Sequence, residues 1–500
     1  MTRIIAAQGK FVYPFTFDVK TFDSRQDTFD KSLAVVEDDQ TAIWNRIKYS
    51  DQDLLPHVAK YINSRSSQNG GNLFNVCIYE ISNNVLQSAQ YGLGSGRENG
   101  SITYTLSCSK GKIAFDILNV QLYLFRTGMG SIAFEIKPRL PNQDPDEWFD
   151  FLSYFRYFGG YRGVSIECSK AVGYDREKEE KIFAPFFPPL ARTEDDQDSR
   201  IFEEIIFGLL DSGVVDGETE KWWDDIFIPH QFLPFSMLFL KEVDSSQIPI
   251  LVYQYRKMLH SRQVLVPPEV ETSLNHTGLH PYTENQWFVF SLDGGGFISF
   301  DPPDDYFFEV ELPLHLMDQY FLIFILTIQQ RFVLTKLADE VVRVWLTEQI
   351  DNEDEFPLFD HLQSTLKAFA SLGNYNQVMQ RDNLHQVYQK WQEIFQIDQL
   401  YQSVNEEIDH ISDFLQSKQD QILKDIEQAQ NDQTQRLERQ INIIMYLIGI
   451  PAILFPFIEM VETKGLLFTS LVLIGGVIVG GLLLLFVSRE KLKKKNIGSE

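Results

Sequence analysis

Ile441-Asn442-Ile443-Ile444-Met445-Tyr446-Leu447-Ile448-Gly449-Ile450-Pro451-Ala452-Ile453-Leu454-Phe455-Pro456-Phe457-Ile458-Glu459-Met460 is followed, after Val461-Glu462-Thr463-Lys464, by a second apolar run from Gly465 to Val487. A bilayer core about 30 Å thick needs roughly 20 helical residues at a rise of about 1.5 Å each. Both runs meet that length, and the link between them is too short for a folded domain. The sequence predicts a transmembrane hairpin, with helices at 441-460 and 465-487 and an outer turn at 461-464. Everything before it then lies on one side of the membrane.

Charge chooses the side. Arg436 and Arg439 precede the first run and Arg489-Glu490-Lys491-Leu492-Lys493-Lys494-Lys495 lies in the tail 488-500, whereas the turn sets Lys464 against Glu459 and Glu462. The positive-inside rule puts both termini in the cytoplasm. Met1 to Lys10 has too short an apolar run for a signal peptide. Cys77, Cys108 and Cys168 are odd in number, are not spaced as metal pairs, and read as ordinary thiols. With 500 residues, 44% hydrophobic and 13% aromatic, the chain can bury a sizeable core before the hairpin begins. A formal charge of −26 argues against direct DNA or RNA binding while leaving room for a small anion in a local basic pocket.

Residues 1-313 read as a strand-rich α+β cytoplasmic domain. Leu73 to Ile81 and Ser101 to Leu106 carry β-branched and aromatic bias. Val120 to Phe125 and Ser131 to Ile136 flank Gly128-Met129-Gly130 as a hairpin, and Trp287 to Phe290 and Gly296 to Phe300 repeat the design around Asp293-Gly294-Gly295. Asp146 to Phe158 and Ser199 to Leu210 read as helices, and Thr193 to Asp198 as a break between lobes or an exposed loop. Residues 314-395 become helical. Phe321 to Ile328 is too short for a third span and reads as a helix buried in protein. From 396 to 440 a stalk helix carries Ile397, Leu400, Val404, Ile408, Ile411, Leu415, Ile422, Ile426, Ala429, Leu437 and Ile441 on one stripe with no Pro or Gly between Gly373 and Gly449, which reads as a self-associating coiled coil or as one helix of a monomeric bundle.

A large cytoplasmic domain, a long stalk helix entering the first span, a very short outer turn, a second span and a basic tail together resemble the CorA family of divalent-cation channels. Ile450-Pro451 resembles that family's apolar-proline step. Its Gly-Met-Asn signature is absent: counted from the Ile-Pro step, Met460-Val461-Glu462 stands there, preceded by Glu459. The resemblance covers about residues 395 to 495. It implies a multi-pass protein of the bacterial inner membrane, lipid as surroundings, a homo-oligomer of five subunits and an Mg²⁺-related ion path, and the missing signature sets ordinary Mg²⁺ uptake aside. The strand-rich first domain is similar to that of divergent CorA-like antiviral effectors associated with type III CRISPR systems, which implies a small nucleotide messenger as ligand.

Within that frame Asn442, Tyr446, Ile450, Ile453 and Phe457 follow a helical spacing that would line a pore, and Glu459 and Glu462 would ring its outer mouth, where carboxylates enrich cations. Gly475-Gly476-Val477-Ile478-Val479-Gly480-Gly481 permits close helix packing. Stalk acids such as Glu406, Asp413, Asp425 and Asp432 read as a solvated face or as a cation sensor; no metal-binding residue is assigned. For a ligand, Arg156-Tyr157-Phe158-Gly159-Gly160-Tyr161-Arg162 offers Arg156 and Arg162 for a phosphate and Tyr161 for a base, with Arg126 a weaker choice. Enzyme signatures are missing: His276 and His280 flank Gly278 and precede Pro281, unlike a zinc-binding helix. A ligand-gated cation pore leads; a non-conducting anchored sensor or scaffold, or a divergent Mg²⁺ transporter, stand as alternatives.

Overall fold

Phe11, Tyr13, Phe15 and Phe17 alternate on one side of Arg3–Phe17, and this run forms the central strand β1 of the molecule. The computed structural model describes residues 2–36, 39–48, 54–56, 58–59, 76–87, 93, 103–108, 111–158, 165–169, 201–214, 221–261, 269–348, 356–370 and 377–464, with 470, 474, 475 and 478. The remaining strands are β2 Leu33–Val36, β3 Asp39–Ala42, β4 Trp44–Arg46, β5 Val76–Ile81, β6 Thr103–Cys108, β7 Gly111–Phe125, β8 Met129–Pro138, β9 Ser165–Ser169, β10 Trp223–Asp225, β11 Leu233–Lys241, β12 Leu279–Thr283, β13 Gln286–Ser291 and β14 Gly294–Phe300. The principal helices are α1 Phe22–Lys31, α2 Pro145–Phe155, α3 Ile201–Asp211, α4 Ile248–Arg256, α5 Phe321–Glu348, α6 Phe356–Ala368, α7 Asp382–Ile394 and α8 Ile397–Lys464.

One sheet runs β12-β13-β14-β11-β1-β8-β7-β5-β4, with β10 on β1 and with β6 joining β7 to β9. Neighbours are antiparallel except β11 and β14, which run parallel from Phe235↔Gly295 to Leu240↔Phe300. The parallel pair needs close backbone approach: a Cβ on Gly296 would lie 1.9 Å from the Ser236 carbonyl oxygen, so only glycine fits. In the β7–β8 hairpin Gly128 takes φ 77°, the left-handed conformation its sequence setting predicts.

Helices cover both faces of the sheet. On one, Phe11 meets Phe155 and Phe232 at centroid distances of 4.6 and 6.1 Å, and Phe149 of α2 meets Tyr255 of α4. On the other, Phe235 lies 5.5 Å from Phe324 of α5, and Trp391 of α7 lies 4.7 Å from Phe324 and 4.8 Å from Phe290. Every side chain from Phe321 to Gln330 is buried. Among the described residues Phe307–Arg343 is long and apolar enough to cross a membrane, and it is mostly buried in the body. Two π-helical segments, Phe307–Glu311 and Leu316–Tyr320, precede α5.

A buried cation interrupts this second face. Lys10 stands opposite the phenylalanine side of β1, 4.6 Å above the Phe321 ring. Its Nζ donates to Gln121 Oε1 at 3.0 Å and lies 3.7 Å from Glu135, its register partner on β8. Burial lowers the Lys10 pKa, and Glu135 opposes that shift.

The chain divides into two compact units, residues 1–409 and 410–500. The fold is therefore mixed α and β with a buried apolar helix and a long helix near its C-terminal end.

Candidate functional site

Helix α8 is 68 residues long and passes through Pro451 and Pro456. Val461-Glu462-Thr463-Lys464, expected to form the outer turn, are helical. Those residues contain no Pro or Gly that would turn the chain there. Tyr161, Arg162, the loop 193–198, nearly all of the second apolar run and the basic tail lie outside the described residues.

The α8 stripe has a definite period. Val404, Leu415, Ile426, Leu437 and Ile448 recur every eleven residues, and Leu400, Ile411, Ile422 and Ile444 follow the same interval beside them, with Gln433 as the polar exception. Three helical turns hold about 10.8 residues, so each series stays on one face. Exposure rises along the first series, from 3% at Val404 to 50% at Ile426, 58% at Leu437 and 66% at Ile448. Ile443, Ile444, Met445, Tyr446, Leu447 and Ile448 are all more than half exposed, giving a helix that is apolar on every side.

Asn442 and Tyr446 are exposed on this segment. At about 100° per residue they stand roughly 120° and 160° around the helix from Ile448. The stripe suited to packing in the stalk and the stripe expected to line a pore are thus on opposing sides of α8. Ile450, Ile453, Phe457, Glu459 and Glu462 belong to the helical backbone, and their side chains lie outside the described residues.

The two described arginines of the expected ligand set occupy separate ion pairs. Arg126 lies 2.7 Å from Asp23 and over the Phe22 ring. Arg156 caps the C-terminus of α2 and is buried; its Nη1 is 3.2 Å from Asp293 Oδ2, its Nη2 donates to the Tyr157 hydroxyl at 2.5 Å, and its Nε has no partner. Asp293 is the tip of the β13–β14 hairpin. From the other face of the sheet, Arg331 of α5 donates to the carbonyl of neighbouring Leu292 at 3.0 Å. Burial lowers the Arg331 pKa, and the Asp293 carboxylate pulls it back up. Asp293 and Arg331 were legible only as a turn residue and a helix flank.

A second charged cluster surrounds Glu271, whose carboxyl is held below its ordinary range first by Arg256. Burial lowers the pKa of His276 and of His280, and Lys390 adds to both shifts. His276 Nδ1 accepts from the Gly278 amide at 2.8 Å, which leaves Nε2 facing Glu271 at 3.9 Å. Burial also pushes the Cys77 thiol up to about 12, the behaviour of an inert buried cysteine. Among the described residues no cluster of three or more His, Cys, Asp or Glu side chains is placed to hold a metal ion. No protein-family model, curated protein or solved structure matches the chain.

Proposed function

We propose that the protein is a homo-oligomeric membrane protein whose cytoplasmic body senses a small nucleotide and whose C-terminal hairpin forms a gated cation-permeable pore. The observation that carries this reading is α8: one uninterrupted helix whose apolar stripe starts inside the body and continues, in the same eleven-residue period, into a segment exposed on all sides. Such a surface is stable against other copies of itself along the stalk and against lipid beyond Ile441. The resemblance to CorA channels supports five subunits, and the similarity to type III CRISPR-associated effectors supports a nucleotide messenger.

The opposing faces of α8 supply a gate. A bundle closed on Ile441, Ile444 and Ile448 presents an apolar constriction, which blocks ions by dewetting. Turning α8 toward Asn442 and Tyr446 brings polar groups to the axis. A messenger opens the pore only if it binds the turned state more tightly. Glu459 and Glu462 then concentrate cations at the outer mouth.

The test is ion flux from liposomes carrying the purified assembly, with and without candidate nucleotides. Flux that requires a nucleotide supports the gated pore. An intact assembly that never conducts, under any nucleotide, identifies an anchored scaffold instead.

A further inference from the structure

Asp293 sits at a hairpin tip approached by two arginines. Its carboxylate meets Arg156 from one face of the sheet, and the carbonyl beside it is held by Arg331 from the other. We propose that Arg156 and Arg331 form a binding site for a phosphate-bearing anion, which Asp293 fills as an internal stand-in when the ligand is away. This deepens the nucleotide-sensing part of the reading above and rests on it for the ligand's class.

Three features favour exchange over a permanent ion pair. Arg156 is 8% exposed, yet its Nε donor is unmet while its Nη1 lies 3.2 Å from Asp293. A guanidinium offers five N–H groups in a fork, and a phosphate, with more acceptor oxygens than a carboxylate, satisfies more of them. The Asp293 side chain is 52% exposed, so the competing anion reaches it from solvent. Gly294, at φ 127°, and Gly295 follow it, so no side chain after the tip shields the Asp293 carboxylate.

The site also leads somewhere. Arg331 lies 5.0 Å over the ring of Phe395, the residue that ends α7. Gln396, at φ 55°, follows, and α8 begins at Ile397. An anion that takes over Arg331 therefore acts on the elbow from which the stalk helix starts.

The experiment is calorimetric titration of the full-length protein in nanodiscs with inorganic pyrophosphate and with ADP. Removing the internal competitor raises the binding-competent fraction, so Asp293→Asn should bind pyrophosphate about tenfold more tightly, and Arg156→Gln and Arg331→Gln about tenfold or more weakly. Asp293→Asn should also melt at lower temperature, because Arg156 loses its counter-charge, and pyrophosphate should restore the loss. Lower melting with neither tighter binding nor rescue makes the trio a purely structural ion pair and overturns the proposal. If Arg156→Gln does not fold, Arg331→Gln carries the same comparison. Nucleotide-triggered flux that Arg331→Gln and Asp293→Asn leave unchanged removes the site while gating stands. Pyrophosphate binding that follows the predicted order in a protein that never conducts keeps the site and removes the gate.

Discussion

Two stretches of this chain, Phe321–Ile328 in α5 and Ile443–Ile448 in α8, are equally apolar to the eye and opposite in fate. Every residue of the first is buried; every residue of the second is more than half exposed. The flanks make the difference. Gln329, Gln330 and Arg331 close the α5 run and all find protein partners: Thr127 at 3.4 Å, Tyr388 at 2.8 Å and the Leu292 carbonyl at 3.0 Å. An apolar run with satisfied polar neighbours and a sheet beneath it is a core helix. One that continues an exposed stalk has no such cover among the described residues.

The largest expected effect breaks this comparison at its buried side. Phe324→Ala removes a ring that touches both Trp391 and Phe235 and should destabilise the body by about 3–5 kcal/mol in urea denaturation. Ile444→Ala should leave the same transition within about 0.5 kcal/mol. Equal shifts would mean that the α8 segment is packed in the body after all. Next in size, Ile426→Asp combined with Leu437→Asp should dissociate the assembly, read as particle mass in detergent, while the melting of the body stays unchanged. An intact oligomer would make the eleven-residue stripe a solvent face. A finer test concerns the two sides of α8. In a conducting preparation Tyr446→Cys should be blocked by a charged thiol reagent only when a nucleotide is present, and Ile448→Cys should resist it in that state; the reverse order would put the Ile448 face at the open axis.

The smallest effect belongs to the body alone. His276 and His280 have folded pKa values below 6.5, so on acidification through that value the unfolded chain gains protons that the folded chain does not. Stability should fall as pH drops below 6.5. A variant with both His276→Gln and His280→Gln should lose less over the same window in thermal melts, with oligomer mass unaffected.

Much of this was readable from residue order. The Gly128 and Asp293-Gly294-Gly295 hairpins stand where the glycines placed them, and the helix at 146–158 stands as α2 over Pro145–Phe155. Local signals decide local elements. The central strand escaped notice because Arg3–Phe17 contains Gln8, Gly9, Lys10 and Pro14, and because its partners begin at Met129 and Leu233. Gln330 read as a polar boundary, yet it is a buried hydrogen-bond donor to α7; burial of a polar group depends on a partner that spacing cannot show. The Asp293 tip reads as a turn for the same reason. Its meaning comes from arginines on α2 and α5 that sequence distance keeps apart.

The position of β1 has a consequence for how the chain is made. Phe17 leaves the ribosome long before Lys241, the end of its partner β11. At about 5–20 residues per second, the most aromatic strand of the sheet waits roughly ten to fifty seconds for that neighbour. Lys10 and Pro14 in its middle weaken it as a template for other nascent chains, because a charge and a missing N–H both oppose edge-to-edge pairing. The lysine that costs desolvation in the finished body thus guards the segment while it is still unpaired.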